Sequence, residues 1–337
     1  MEQQAAHADY KLEELELPTL DLEQESSSFA ELLVAACRDP GVFRLVNHGV
    51  PDDLTVRLFR LSRDLLELET AKKTKLPGYF WGTPALTLRV KELNWVEGLH
   101  VAPDADGRSD ADVAEDDEGA YSSFREVVTA EYVPHMARIA RKLFDALAGS
   151  EELGLDAERR AAYLDERGGT FRAYRYPACD PAGRYLGMEP HTDSSVLSIL
   201  NQDLVGGLQV LRRRGDGDRE DRWCGVRPVE GTLVVNLGDM MQAMSGDAYR
   251  SAEHRVVAPP AGTGRMSLCY FAFPQEDAVI VPSPSSGGDE GKEQRYRGFS
   301  YREFREQVQA DIKATGGKVG LARFRLNRST ATVLPND

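Results

Sequence analysis

Of the six histidines in this chain, two stand where metal chemistry could begin, His191 and His254. His191-Thr192-Asp193 sets an imidazole and a carboxylate two residues apart, which on a strand or strand edge puts both on one face. His254 follows much later, inside a run of β character. Two imidazoles and one carboxylate on one face of an octahedron leave three adjacent positions open, an arrangement suited to iron(II) and dioxygen. Taken alone the triplet is a common chance pattern, and both histidines could be ordinary polar strand residues.

The segment after His254 adds weight. Val256-Val257-Ala258 and Met266-Ser267-Leu268 flank the turn-forming stretch Pro259-Pro260-Ala261-Gly262-Thr263-Gly264, so the two runs are expected to pair as a hairpin. Folding it about Pro260 and Ala261 brings Arg265 and Ser267 across from His254. Those two share a face and offer a planar guanidinium fork plus a hydroxyl to a carboxylate. A dicarboxylate chelating the metal could anchor its far end there. By itself Arg265 would read as a surface cation; the combination with the upstream triplet points to a ligand site.

The elements that must position these residues fall into three stretches. Leu17 to Leu22 reads as an opening strand, Phe29 to Cys37 as a helix beside it and Phe43 to Asn47 as a second strand. His48-Gly49-Val50-Pro51 is a turn. An amphipathic helix (Leu54, Leu58, Leu61, Leu65) follows, with Asp52 and Asp53 as caps. Ala102 to Ala120, with eight acidic residues, is expected as a solvated loop with little order. Tyr121 to Leu147 has the spacing of one long helix that braces the core. From Thr170 to Phe273 come short β-like runs: Phe171 to Tyr176, Val196 to Leu200, Leu208 to Leu211, Leu233 to Leu237, His254 to Val257 and Met266 to Phe273. Strands at this spacing indicate a sandwich or barrel. Arg213 to Asp221 is a hydrophilic hairpin tip, Ser283 to Gly291 a Gly/Ser-rich surface loop, and Tyr301 to Lys313 a closing helix. No internal repeat is visible.

Composition narrows the function. With 337 residues, 41% hydrophobic and 28% charged, the chain can bury a substantial core as one large unit. A formal charge of -14 would repel a phosphate backbone, so nucleic acid is not expected as a partner. The four cysteines, Cys37, Cys179, Cys224 and Cys269, form no C-x-x-C pair, which suggests neither a zinc site nor a disulfide framework and fits a reducing compartment. No apolar run approaches the about 18 residues that span a bilayer, and Met1 to Leu15 lacks a signal-like apolar core. The expectation is a soluble, cytoplasmic protein with no membrane association and no obligate protein partner.

The triplet, the distant histidine and Arg265-Met266-Ser267 together resemble the plant 2-oxoglutarate- and iron(II)-dependent dioxygenases. The likeness runs over nearly the whole chain. Leu17 to Leu22 looks like the family's opening strand, and Phe43 to Val50 looks like its F-x-x-V-N-H-G strand and turn, so His48 is a turn residue and not a metal ligand. Within the family the chain is most similar to gibberellin 2-oxidases acting on twenty-carbon precursors. The residues that carry this are Trp81 to Pro84, Leu93 to His100, Asp203 to Val210 and Phe299 to Arg305. Val234 to Asp239 and Tyr249 to Val256 are shared more widely.

The resemblance implies a fold that is mainly β with flanking helices, a double-stranded β-helix (jelly roll) core. An N-terminal mixed α/β region (1–165) would pack on the core (166–280), and a C-terminal loop and helix (281–337) would complete the same unit. It implies Fe(II), 2-oxoglutarate as co-substrate, dioxygen, and ascorbate in support. Metal ligands would be His191, Asp193 and His254, and 2-oxoglutarate would meet Arg265, Ser267 and Tyr176. Arg172 could pair with a substrate carboxylate. Phe271 and Phe273 could wall an apolar pocket or belong to the core, and Trp81 could pack in a lid or touch substrate. The expected reaction is hydroxylation of a small-molecule diterpenoid acid, a gibberellin or its precursor, at C2, with release of succinate and carbon dioxide.

One position departs from the pattern. Where relatives read N-x-Y-P, this chain has Tyr174-Arg175-Tyr176-Pro177, and an aromatic ring at Tyr174 could narrow the site or alter how the co-substrate chelates. Residues Gly78 to Leu88 also differ somewhat. A related oxygenase making another gibberellin modification, or oxidising a different plant carboxylic acid or phenolic, stays open, as does a non-catalytic binder that kept the metal site.

Overall fold

The structure, a computed structural model, describes residues 12–24, 26–82, 94–102, 115–179, 185–213, 220–282 and 294–326. The N-terminal part contributes β1 (Thr19–Asp21), α1 (Ser26–Arg38), β2 (Val42–Val46), α2 (Asp52–Leu66), α3 (Thr70–Lys73), β3 (Tyr79–Trp81) and β4 (Glu97–Val101). Then come α4 (Glu115–Glu126), a π-helical turn (Val127–Tyr132), α5 (Val133–Ala148) and α6 (Ala157–Tyr163). The strand-rich part holds β5 (Thr170–Tyr176), β6 (Leu186–His191), β7 (Leu197–Gln202), β8 (Leu208–Arg212), β9 (Arg222–Gly225), β10 (Leu233–Leu237), α7 (Asp239–Met244), β11 (His254–Val257) and β12 (Arg265–Ala272). The last helix, α8 (Tyr301–Thr315), leads into a 3-10 turn (Gly320–Phe324).

Two sheets face each other as a jelly roll. The larger runs β1-β2-β10-β7-β12-β5-β4-β3 and the smaller β6-β11-β8-β9. Side-chain alternation on the central strand β12 builds two cores at once. Met266, Leu268, Tyr270 and Ala272 join the core under α2, α4 and α5, whereas Cys269 and Phe271 face the space between the sheets with Tyr174, Tyr176, Leu208 and Val210. All eight residues of β12 are buried, as a strand covered on both faces must be. No helix among the described residues is long and apolar enough to cross a membrane.

Several elements differ from the sequence reading. Tyr121 to Leu147 is not one regular helix, because α4 and α5 are joined by the π turn just before Pro134. Proline has no amide to donate and its ring would meet a carbonyl one turn back, so the wider turn relieves the conflict. Of the acidic stretch 102–120, residues 103–114 lie outside the described ones, and from Glu115 the chain is helical rather than loop. The buried Tyr121 and Phe124 dock the later turns of this helix. Asp52 and Asp53 do not cap α2. Pro51 holds the cap position without a side-chain bond, and the two acids lie in the first turn. Residues 283–291 lie outside the described ones, and so do 214–219 of the β8-β9 hairpin, whose strands pair from Arg212 to Arg222.

The expected hairpin between the runs after His254 is also absent. β11 pairs with β6 and β8 in the small sheet, while β12 pairs with β5 and β7 in the large one. The Pro259 to Gly264 connection therefore crosses between sheets. Both runs carry apolar residues suited to central strands, and each is satisfied by two neighbours, which leaves no free edge for the other.

Candidate metal centre

β6 ends at His191 and β11 begins at His254, and the two are register partners across the antiparallel pair. Their ring centroids are 4.3 Å apart. Asp193 comes from the loop after β6 and not from the strand, so loop geometry rather than the strand pleat brings it to the same side. Its Oδ1 lies 3.7 Å from His191 Nε2 and 3.9 Å from His254 Nε2. Among the described residues these three form the cluster of candidate metal ligands, with ligand atoms all within 4.8 Å of one another.

The surroundings prepare each ligand atom. His191 Nδ1 lies 2.7 Å from the Glu189 carbonyl and His254 Nδ1 3.0 Å from that of Ala252. Carbonyls only accept, so both Nδ1 atoms carry the proton and both Nε2 lone pairs point to the cluster. Burial, with His254 nearby, holds the His191 pKa down at about 4, which keeps the ring neutral and able to ligate. Asp193, only 8% exposed, is pushed up by burial. The imidazoles of His254 and His191 and hydrogen bonds from Asn236 and Ser198 outweigh that and leave its pKa at about 2. Those bonds, from Ser198 Oγ at 2.6 Å and Asn236 Nδ2 at 2.8 Å, both go to Oδ2 and leave Oδ1 for a metal. Two imidazole Nε2 atoms and an ionised carboxylate fit a divalent cation such as iron(II).

A second set faces the same cavity of about 970 Å³. Arg265 and Ser267 are each 1% exposed on β12, opposite Tyr176 and Tyr174 of β5. The Arg265 guanidinium lies 4.7 Å from the Tyr176 ring centre and donates to Gln202 Oε1 at 2.9 Å and Ser267 Oγ at 3.3 Å. It has no ion pair among the described residues, and its buried Nε has no hydrogen-bond partner. A buried cation without a counter-ion is costly, so this position suits an anion, as the far carboxylate of 2-oxoglutarate would be.

Further along the same faces, Arg172 donates to His100 Nδ1 at 3.1 Å and Tyr174 Oη at 3.2 Å, and its guanidinium lies 5.1 Å from the Phe271 ring centre. It too lacks an ion pair among the described residues. Phe271 and Phe273 line the cavity and stack with ring centroids 6.4 Å apart. Trp81 is not brought to the site. It is 39% exposed and meets Trp95 edge-on, in an aromatic row with Tyr185. His48 lies in the turn after β2 and accepts from the Val50 amide, away from the cluster. Nothing in the sequence singles out Ser198 or Gln202, and His100 stands out only as the end of the run Leu93 to His100. Asn236 was visible only as part of the widely shared run Val234 to Asp239.

Residues 167–274 match the 2OG-Fe(II) oxygenase superfamily, and residues 17–120 match the non-haem dioxygenase in morphine synthesis N-terminal family. The chain is 35% identical over 334 residues to gibberellin 2-beta-dioxygenase 8 of Arabidopsis thaliana, covering 93% of this chain and 88% of that protein. It is 36% identical over 329 residues to gibberellin 2-beta-dioxygenase 6 of Oryza sativa subsp. japonica, with coverages of 92% and 85%. A crystal structure of JOX2 in complex with 2OG, Fe and JA aligns with a TM-score of 0.73 at 25% identity, covering 95% of this chain and 92% of that one. The chain belongs to the 2OG-Fe(II) oxygenase superfamily and is a 2-oxoglutarate-dependent dioxygenase.

Proposed function

We propose that this dioxygenase hydroxylates a gibberellin-type diterpenoid acid at C2, in the cytoplasm, and so inactivates the hormone or its precursor. The supporting observation is the placement in one cavity of two guanidiniums that form no ion pair among the described residues. Arg265 and Arg172 lie four residues apart in the β5-β12 ladder, Arg265 opposite Tyr176 and Cys269 opposite Arg172. At about 3.4 Å per residue that separates them by roughly 14 Å along the strands. One cation would hold the co-substrate and the other the carboxylate of the molecule to be oxidised.

In this reading His191, Asp193 and His254 hold iron(II), which with 2-oxoglutarate and dioxygen supplies the oxidising power to hydroxylate an unactivated C–H bond. Everything else is positioning and shielding by the chain. Arg265 and Ser267 fix the distal carboxylate of 2-oxoglutarate, with Tyr176 beside it. Asn236 and Ser198 hold the second oxygen of Asp193 and add to what keeps it anionic. Arg172, braced by Tyr174 and His100, orients the substrate acid. Phe271 and Phe273 present an apolar wall to a hydrocarbon skeleton and keep water from the reacting carbon.

Incubation with iron(II), ascorbate, 2-oxoglutarate and a twenty-carbon gibberellin should give a product hydroxylated at C2. Failure to turn over any gibberellin overturns the substrate assignment. Tyr174, whose hydroxyl is engaged by Arg172, supports a second reading in which a different plant acid or another gibberellin carbon is oxidised. Product mass and hydroxyl position separate the two. Succinate release with and without substrate distinguishes either from a non-catalytic binder, which would release none.

A further inference from the structure

α8 stops at Gly316, whose left-handed backbone (φ 79°) turns the chain back toward the cavity. Two residues on, Lys318 reaches the loop that carries the candidate metal ligands. Its Nζ lies 2.7 Å from Asp239 Oδ2 and donates to the Thr192 carbonyl at 2.8 Å. Thr192 is the residue between His191 and Asp193. Asp239, at the start of α7, donates its amide to the Asp193 carbonyl at 2.8 Å. One ammonium thus ties together the peptide linking two ligands and the helix start that holds the second. The approach is close: a Cβ on Gly320 would lie 3.3 Å from Asp239 Oδ2. The Lys318 side chain is 17% exposed and that of Asp239 5%.

We propose that Lys318 is a positioning residue of the metal centre, setting the spacing of His191 and Asp193 by fixing the peptide between them. β6 ends at His191, so ladder hydrogen bonds cease where the first ligand is placed and the second still has to be. A charge-assisted bond from a largely buried ammonium is a strong substitute for that ladder. The residue that supplies it lies 126 positions away, in the segment that closes one side of the cavity.

The test is anaerobic iron(II) titration of the full apo chain, with the visible absorption of the iron and 2-oxoglutarate complex as a second readout. K318M should weaken iron binding about 10–100-fold, as loss of an outer-shell partner does. K318R should restore most of it. The double variant K318M/D239N removes the ion pair as a unit, so that no buried carboxylate is left alone, and should stay weak. R323A is the control. It breaks the 2.8 Å contact of Arg323 with Asp311, loosening the same segment without touching Thr192, and should bind iron as the unaltered chain does. Should K318M fail to fold, K318M/D239N by itself carries the comparison with R323A. Unaltered affinity in K318M/D239N, or an equal loss in R323A, would overturn the role. The inference rests on the metal assignment, so H254A is titrated alongside. Unaltered binding in H254A would mean that the assignment itself fails.

Discussion

His191 and His254 stand directly opposite one another across β6 and β11, the last residue of one strand against the first of the next. The pair therefore sits at the end of the small sheet, where the ladder stops and the rings can turn into the cavity. Each ring is locked by one carbonyl on Nδ1. H254A should lose measurable iron binding while keeping its far-ultraviolet circular dichroism. N236A, which frees one bond on Asp193 Oδ2, should weaken iron about 10–100-fold without abolishing it. Tight iron binding by H254A would contradict the ligand set.

Arg265 leads to a prediction about the co-substrate. R265M removes one partner of a buried charge pair, a change that costs about 2–5 kcal/mol, so the KM for 2-oxoglutarate should rise by roughly 30-fold or more. R265K keeps the charge but loses the planar fork and should fall between. Steady-state succinate formation measures both. A KM unaltered in R265M would show that the dicarboxylate binds elsewhere.

Arg172 is expected to read the substrate acid. The unaltered enzyme should prefer a free carboxylic acid to its methyl ester, and R172M should lose that preference while its KM for 2-oxoglutarate changes little. Competition between acid and ester, followed by mass spectrometry, checks this. Undiminished discrimination in R172M would remove Arg172 from the substrate site.

Two half-buried histidines set a pH dependence. His191 and His100 are each lowered from 6.5 to about 4, in both cases chiefly by burial. Between those values the unfolded chain binds protons that the folded chain refuses, so stability falls as pH drops from about 6.5 to about 4 and is flat above that window. Urea unfolding of the apo chain across this range should show the decline. H100N, which can still accept from Arg172, should flatten part of it. A slope unaltered in H100N would exclude His100 as a contributor.

Much of this was legible in the sequence because strand periodicity is local. The alternation of Arg265, Ser267, Cys269 and Phe271 follows from the two-residue period of β12, and so does that of Arg172, Tyr174 and Tyr176 on β5. Helices with a strong apolar stripe, such as α2 and α8, were equally visible. The helix starting at Glu115 was not, because it depends on what Tyr121 and Phe124 pack against, nor was the π turn before Pro134, because apolar spacing alone does not separate a regular helix from one with a wider turn.

The sequence by itself determined which side chains share a strand face and which residue types could bind a metal and a dicarboxylate. It could not determine how the strands pair, because β11 and β12 are each apolar enough to pair with several partners. Only the tertiary structure placed them in different sheets, put His254 opposite His191, and brought Asp193 in through a loop held by Asn236, Ser198 and Lys318. Those contacts span long stretches of chain, and their energy exists only once the sheets have closed around the cavity.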